Sequence, residues 1–447
     1  MTQRSRYLLS ATLLAGLLAS EGALASPVYS LVGTIPLNVG ASQFTGYDLS
    51  IVDPTTQLYY LTDRSAGAID VISTQTNKLV ERIGAGSNLF GGVSTGNDTA
   101  GPNGISITTL ADDSKLLLAG NTQPGTTVGN VIAFNLASNG LAVTNTRTLT
   151  TNTPSTPVPA NRVDGVAYSP QTNTILAANN ASTPGAITIV DNGTGAVVKT
   201  LLLNGQNGLP NGQGNGVEGP IYNTLTHTFM VAIPNLTSDA QGNGTGGGGI
   251  LEINPANGDV IRTFSFDALG APVGCNPNGI VQGANGLIGI ACGNSGTLGN
   301  PGLTLFLDPA GNDGAGKLTY SSAVTGADQI AYDSSRDLFV EAARFALPDG
   351  AGGRTPVVGI FDGFGNYLQS LAATNNIHSI AVDPVSGEIL VAEGATGKTP
   401  STSTVEGCSF GCVAVFAPVP EPTSISLLAV GFIGLGAVSR RRSRMPS

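Results

Sequence analysis

The most constraining feature of the sequence is a unit of four short apolar segments that recurs seven times along the chain. The first copy lies between Tyr47 and Ile83, and its segments are Asp48–Val52, Leu58–Thr62, Ala68–Ile72 and Leu79–Ile83. Runs of Val, Ile, Leu and Tyr separated by Pro, Gly, Asn and Thr predict strands joined by tight turns. One such antiparallel meander would leave both faces exposed to water, so the copies are expected to stack.

The spacing of the copies predicts how they stack. The first strand of each copy begins with a polar residue, and these residues are Asp48, Asn103, Asp164, Glu218, Asn278, Asp328 and His378. Neighbouring copies are 50 to 61 residues apart, somewhat more than the roughly 40–50 residues of common propeller repeats. Seven sheets arranged radially leave only short, protected edges. The prediction is an all-β, seven-bladed β-propeller over residues 26–417.

One strand at the N-terminus has no neighbours in the sequence. Pro27–Leu37 reads as a single strand, whereas the seventh copy supplies only three strands and then ends. We therefore expect Pro27–Leu37 to become the fourth strand of the seventh blade and to close the ring.

The composition agrees with an all-β fold and argues against nucleic acid as a partner. Only 11% of the residues are charged, 62 are Gly and none is Trp, which is typical of a turn-rich β protein. Residues 26–420 contain 13 basic and 27 acidic side chains, a net charge of −14. A surface this acidic argues against nucleic-acid binding.

The N-terminus carries an export signal. Met1–Ala25 combines basic Arg4 and Arg6, the apolar run Leu8–Leu18 and the small-residue site Ala23-Leu24-Ala25. This pattern predicts a signal peptide that signal peptidase removes. A retained transmembrane helix is the alternative, although the apolar run is short for a bilayer of about 30 Å.

The C-terminal segment, residues 418–447, has three parts. Pro420-Glu421-Pro422 precedes the apolar stretch Ser424–Ser439, and the basic residues Arg440, Arg441 and Arg442 follow. The arrangement closely resembles a PEP-CTERM sorting signal, which implies processing by an exosortase. The apolar stretch is expected to hold the chain in the membrane before processing, with the basic cluster on the cytoplasmic side. The alternative is a plain C-terminal anchor.

The repeats themselves also resemble a known type. DPTTQLYYLTD at Asp53–Asp63 and DPVSGEILVAE at Asp383–Glu393 are similar to YVTN-type propeller repeats. The resemblance implies the fold and leaves the function open, because such propellers serve as binding proteins, surface proteins and enzymes.

Four cysteines are expected to form two disulfides, because an even number in an exported chain favours pairing. Cys275 precedes the first strand of the fifth copy and Cys292 lies at the end of the second, so antiparallel pairing brings them together. Cys408 and Cys412 flank a short loop. A zinc site is the alternative, but the two pairs lie in different copies.

The polar residues that begin the first strands define a candidate site. Carboxylates and amide oxygens around a channel suit a hard cation such as calcium. Lactonase-type propellers are similar in placing Glu, Asn and Asp on a central metal, and that similarity proposes Asp164, Glu218, Asn278 and Asp328 as ligands. The alternative is that Asp and Asn at strand ends only cap turns by accepting backbone N–H bonds.

Signals for catalysis are few. The chain contains only two histidines, His227 and His378. The absence of Trp also weakens the case for sugar stacking. We therefore expect no catalytic residues, and calcium is the only cofactor that the polar residues suggest. The prediction is a binding or structural protein of the envelope, surface or extracellular matrix of a Gram-negative bacterium, with an unknown surface ligand or polysaccharide as partner. The alternative is a calcium-dependent hydrolase of lactonase type.

Overall fold

Seven four-stranded antiparallel sheets make up the fold in the computed structural model. The structure describes residues 27–37, 43–93, 99–152, 161–206, 208–211, 216–239, 244–272, 275–293, 303–345, 356–373, 377–395, 408 and 410–419. Within them, Ser30–Ala417 form one compact unit. The predicted signal peptide, Pro420-Glu421-Pro422, the apolar stretch and the arginine cluster lie outside the described residues.

The first four blades use strands β2 to β19. Strand β1 (Val28–Pro36) precedes them. Blade 1 contains β2 (Tyr47–Asp53), β3 (Leu58–Asp63), β4 (Ala68–Ser73) and β5 (Lys78–Ile83). Blade 2 contains β6 (Ile105–Thr109), β7 (Lys115–Thr122), β8 (Gly129–Leu136) and β9 (Val143–Thr150). Blade 3 contains β10 (Val166–Ser169), β11 (Thr174–Asn179), β12 (Ala186–Asp191) and β13 (Val197–Leu202). Blade 4 contains β14 (Pro220–Asn223), β15 (Thr228–Ile233), the small hairpin β16 (Thr237–Ser238) and β17 (Gly244–Thr245), β18 (Gly249–Ile253) and β19 (Val260–Ser265).

The remaining blades use strands β20 to β30. Blade 5 contains β20 (Asn276–Gln282), β21 (Ile288–Gly293), β22 (Thr304–Asp308) and β23 (Lys317–Ser321), with one 3-10 turn at Asn312–Gly314. Blade 6 contains β24 (Thr325–Asp333), β25 (Leu338–Phe345), β26 (Val357–Asp362) and β27 (Tyr367–Ala372). Blade 7 contains β28 (Ile377–Val382), β29 (Ile389–Glu393) and β30 (Cys412–Val419). The predicted seven-bladed, all-β fold is confirmed.

The ring closes through the N-terminal strand, as predicted. The seventh sheet has the order β1-β30-β29-β28, so β1 is its outer strand. Ile35 and Leu37 are buried in a core that also contains Val413 and Val415 of β30 and side chains of blade 1. The first and last described parts of the chain therefore share one sheet.

Alternation along the strands explains why the blades stack. In β3, Tyr60 packs with residues of blade 2, such as Leu117. Tyr59 and Leu61, on either side of Tyr60 in the strand, pack with residues of blade 7 and β1. Because successive side chains of a strand point to opposite faces, a strand between two neighbouring blades is buried on both faces and is apolar over most of its length. Every residue of β3 is accordingly buried.

Both disulfides are present in the structure. Cys275 and Cys292 are bonded with an S–S distance of 2.02 Å and tie the start of β20 to β21. Cys408 and Cys412 form the second bond, at the start of β30. Glu393 lies opposite Cys412 in the neighbouring strand, and its carboxylate is close to both sulfur atoms. Since those sulfurs are bonded to each other, they are not available as thiolate ligands for zinc.

Candidate functional site

The candidate site lies where the first strands of several blades depart from regular pairing with the second strands. The pairing of β20 with β21 shifts between Pro277 and Ile280, and that of β24 with β25 shifts between Ala327 and Ile330. The residues skipped include Asn278 and Asp328. A β-bulge re-aims a side chain that regular pleating would place elsewhere, and bulges often lie next to binding sites. Blades 1 and 7 have the same shift, at Asp48 and His378.

The bulged positions lie where neighbouring blades approach most closely. The backbone N–H of Gly219 donates to the carbonyl oxygen of Asn278 in the next blade at 2.8 Å. A Cβ atom added at Gly279 would lie 2.5 Å from the carbonyl oxygen of Asp328. Glycine is required after Asn278 because a side chain at position 279 would push the first strands of blades 5 and 6 apart.

The first strands of all seven blades line a central cavity of about 850 Å³. At the end where these strands begin, the lining is charged or polar, and we call this set the upper ring. It consists of Asp48, Arg64, Arg162, Asp164, Glu218, Asn278 and Asp328. All four residues proposed as metal ligands belong to it.

The contacts of the proposed ligands connect blades 3 to 6. The amide nitrogen Nδ2 of Asn278 donates to Oδ1 of Asp328 at 3.1 Å. Nδ2 of Asn180 donates to Oε1 of Glu218 at 2.5 Å. Among the described residues, none donates a hydrogen bond to the amide oxygen of Asn278, so this oxygen can serve as a further ligand atom. Oxygen donors of this kind match the preference of a hard divalent cation, so the residues fit the calcium proposed from the sequence.

The pKa values of the upper ring show how closely its acids are placed. Burial raises the pKa of Glu218 well above its ordinary value, and the charges of Asp164 and Asp328 raise it further. Burial also raises the pKa of Asp48 to about 7, against the lowering effect of Arg64. Burial thus favours the protonated forms of Glu218 and Asp48 more than it would for exposed carboxyl groups, although Arg64 and Arg162 partly oppose this effect.

Two arginines complete the upper ring, and sequence reasoning missed both. Arg64 pairs with Asp48, and its Nη2 donates to Oδ1 of Asn103 at 2.7 Å. Arg162 lies 3.0 Å from Asp164 and is 5% exposed at its side chain. The signal available in the sequence was position, because Arg64 directly follows β3 and Arg162 stands two residues before Asp164.

The other polar residues at the same end of the strands have structural contacts, in agreement with the capping alternative. Oδ1 of Asp63 accepts the backbone N–H of Ala66 at 3.0 Å. Nδ2 of Asn179 donates to the backbone carbonyl of Asn161 at 2.7 Å. Residues at the ends of second strands therefore hold turns and loops, whereas those in the bulges of first strands face the cavity.

His378 also has a structural role in the described residues. It is 9% exposed, and its ring stacks on Tyr47 with centroids 4.2 Å apart. Its Nε2 lies 3.2 Å from the backbone oxygen of Tyr47. These contacts join blade 7 to blade 1.

The lower end of the cavity, where the first strands end, has a different lining. Tyr168, Tyr222 and Tyr332 line it, together with Pro170, Gln171 and Thr224. No charged side chain belongs to the cavity lining below the upper ring, as far as the structure describes the chain. We call these six residues the lower mouth.

Comparisons with known proteins identify the C-terminal segment. Residues 418–442 match the PEP-CTERM protein-sorting motif. No curated protein sequence matches the chain. In the described part of the chain, no helix has the length and hydropathy to cross a membrane.

Solved structures with the same fold are distant in sequence. The chain is similar to hydrazine synthase of Kuenenia stuttgartiensis, with 11% identity, a TM-score of 0.54 and coverage of 80% of this chain and 96% of that one. It is also similar to the Cps50 (Swd1) β-propeller domain of Myceliophteria thermophila, with 10% identity, a TM-score of 0.54 and coverage of 88% and 100%. The RRP9 WD40 repeats give 10% identity, a TM-score of 0.51 and coverage of 88% and 98%. These similarities show the fold alone.

Fold and motif together define a class. The chain is a seven-bladed β-propeller that carries a PEP-CTERM sorting motif. Such a protein is exported to the cell envelope and processed by an exosortase.

Proposed function

We propose that this propeller is a binding protein of the cell surface or exopolysaccharide matrix of a Gram-negative bacterium, with its ligand site in the central cavity. The observation that supports a binding role is the cavity itself. Its volume of about 850 Å³ lies within the roughly 300–1,000 Å³ typical of small-molecule sites. Convergent polar groups at the upper ring and aromatic groups at the lower mouth are the usual composition of such a site.

The surface location depends on the C-terminal motif. We expect that replacing Pro420, Glu421 and Pro422 together by alanine keeps the full-length protein in the membrane fraction, because the exosortase would lose its recognition segment. The measurement is the mass of the protein and its distribution between the membrane and the medium. Replacing Arg440, Arg441 and Arg442 by lysine is the matched control, since it preserves the charge that sets orientation. Unchanged release of the triple-alanine variant would contradict the proposal.

A second candidate function is a calcium-dependent hydrolase of lactonase type. The observation that favours it is the convergence of Asp164, Glu218 and Asp328, since the charges of the two aspartates add to burial in raising the pKa of Glu218. These residues and Asn278 would hold the cation, which would supply a Lewis acid in the cavity. The two arginines already neutralise part of this charge, so the binding role is the one proposed first.

Calcium titration of the propeller decides whether this site exists. We expect binding that weakens as the pH falls, because a cation must displace the proton that the raised pKa of Glu218 retains. Calorimetry at several pH values measures this, and Glu218→Gln should weaken binding about tenfold or more. Asp191→Asn, in an exposed turn of blade 3, is the control. Equal heats for wild type and Glu218→Gln would remove the second candidate.

A further inference from the structure

Three tyrosines occupy equivalent positions at the lower mouth. Tyr168, Tyr222 and Tyr332 each stand four residues after an acid of the upper ring, in blades 3, 4 and 6. All three line the cavity and are half-buried. Their recurrence in the segments VAYS, PIYN and IAYD places aromatic rings on one side of the cavity, at one level below the acids.

Hydrogen bonds hold these rings in place. The hydroxyl of Tyr168 donates to Oδ1 of Asn173 at 2.9 Å, and that of Tyr332 donates to Oδ1 of Asp337 at 2.5 Å. The hydroxyl of Tyr222 donates to Oε1 of Gln171. Burial raises the pKa of Tyr332 to about 12, so the phenol remains protonated. The rings are therefore fixed before any ligand arrives.

Packing beneath the rings adds to this rigidity. The ring of Tyr222 meets that of Phe229 edge-on, with centroids 5.9 Å apart and planes at 77°. Tyr332 packs against Phe339 with centroids 4.9 Å apart. An aromatic surface that is ordered in advance loses little conformational entropy on binding, which favours affinity.

Uncharged polar groups lie beside the rings. Gln171 and Thr224 line the cavity and are exposed. The hydroxyl of Thr224 donates to Oε1 of Gln282 at 3.1 Å, and Nε2 of Gln282 donates to Oδ1 of Asn223 at 3.1 Å. These two hydrogen bonds fix the orientation of Thr224, and lone pairs of its hydroxyl oxygen remain for a ligand.

We infer that the lower mouth binds a neutral sugar ring, as a unit of an oligosaccharide or polysaccharide. A pyranose has an apolar C–H face and an edge of hydroxyl groups, so it requires aromatic surface and uncharged hydrogen-bonding groups together. The lower mouth supplies both, and none of its six residues is charged; the neighbouring Asp337 carboxylate is engaged by the hydroxyl of Tyr332, and His227 lies against the hydroxyl of Tyr222. This inference rests on the proposed function, since it takes the central cavity as the ligand site. It adds a ligand class and an entry side opposite the upper ring.

The test is titration of the propeller with neutral tetrasaccharides, namely cellotetraose, maltotetraose and the tetramer of N-acetylglucosamine. Because the chain has no Trp, tyrosine fluorescence can report binding alongside calorimetry. At least one of the three should bind, and Tyr222→Ala should weaken that binding about tenfold. Tyr222→Phe, which keeps the ring, should retain most of the affinity. Tyr320→Ala is the control, since Tyr320 is 56% exposed on the outer strand β23.

Two further variants keep the outcome clear. Gln171→Ala removes an exposed side chain that lies outside the core, so it should keep the wild-type unfolding midpoint and weaken binding through the lost contact with the ligand or with the hydroxyl of Tyr222. Ala331→Phe narrows the cavity and should reduce binding of any ligand that enters it. No binding by any tetrasaccharide, or equal binding by wild type and Tyr222→Ala, would overturn the inference. The release experiment on the C-terminal motif does not depend on sugar, so it judges the proposed function separately.

Discussion

Replacing Ile35 by aspartate is expected to destabilise the propeller by about 4 kcal/mol or more, which is a large part of the stability of an ordinary domain. Ile35 lies in β1 and is 3% exposed. Its side chain packs in the core shared by β1, blade 7 and blade 1. The substitution removes an apolar side chain from that core and places an unpaired carboxylate there, and both changes weaken the closure of the ring.

Urea unfolding followed by circular dichroism measures this effect. Val32→Asp is the matched control, because Val32 lies in the same strand and is 53% exposed. It should change the free energy of unfolding by no more than about 0.5 kcal/mol. If the two variants unfold at the same urea concentration, β1 does not contribute the closing contact. A larger loss for Ile35→Asp alone would support a ring joined by its two ends.

The fold was predictable because it depends on patterns that are repeated. Each blade contributes apolar segments of similar length. The first three strands predicted in blade 1 differ from the observed strands by no more than one residue at either end. The last copy lacks a fourth strand, and the N-terminal strand has no neighbours in the sequence. The sequence therefore predicted that the N-terminal strand completes the last blade. Because the same pattern occurs in seven copies, an error in assigning one segment has little effect on the predicted fold.

The upper ring was predictable only in part. Its acids and Asn278 occur at the same place in each copy, which made them visible in the sequence. The arginines do not repeat. Arg64 follows a second strand and Arg162 precedes a first strand, and only the folded ring places both beside the acids. A contact between different blades leaves no periodic signal in a single sequence.

The lower mouth shows a different reason for failure. Tyr168, Tyr222 and Tyr332 do recur at a fixed distance from the acids, but tyrosine in a strand usually indicates packing. The rings do pack, since Tyr222 contacts Phe229, and they also line the cavity. Which fraction of a ring stays exposed depends on the neighbouring blade, and a sequence pattern does not contain that information.

Replacing Glu341 by glutamine is expected to remove one contribution to the pH dependence of the protein's stability. Glu341 lies in β25 and is fully buried. Its Oε1 accepts a hydrogen bond from the hydroxyl of Thr304 in blade 5 at 2.6 Å. No described residue forms a hydrogen bond with Oε2. Burial raises the pKa of Glu341 from 4.5 to about 8, against the lowering effect of Thr304.

The sign of the effect follows from proton binding. Between pH 4.5 and 8 the folded protein holds a proton on Glu341 that the unfolded chain has lost. Stability therefore falls as the pH rises through this window, because the unfolded state binds fewer protons. The slope is about 1.4 kcal/mol per pH unit, so roughly 4 kcal/mol is lost between about pH 5 and pH 8. Glutamine keeps the acceptor for Thr304 and has no such proton.

Urea unfolding at a series of pH values compares the two proteins. The stability of Glu341→Gln relative to the wild type should increase steadily with pH and level off above about pH 8. Glu81→Gln is the control, since Glu81 is exposed on the outer strand β5 of blade 1, and its curve should follow that of the wild type. Parallel curves for wild type and Glu341→Gln would show that Glu341 is ionised in the folded protein, which would require a positive partner between blades 5 and 6.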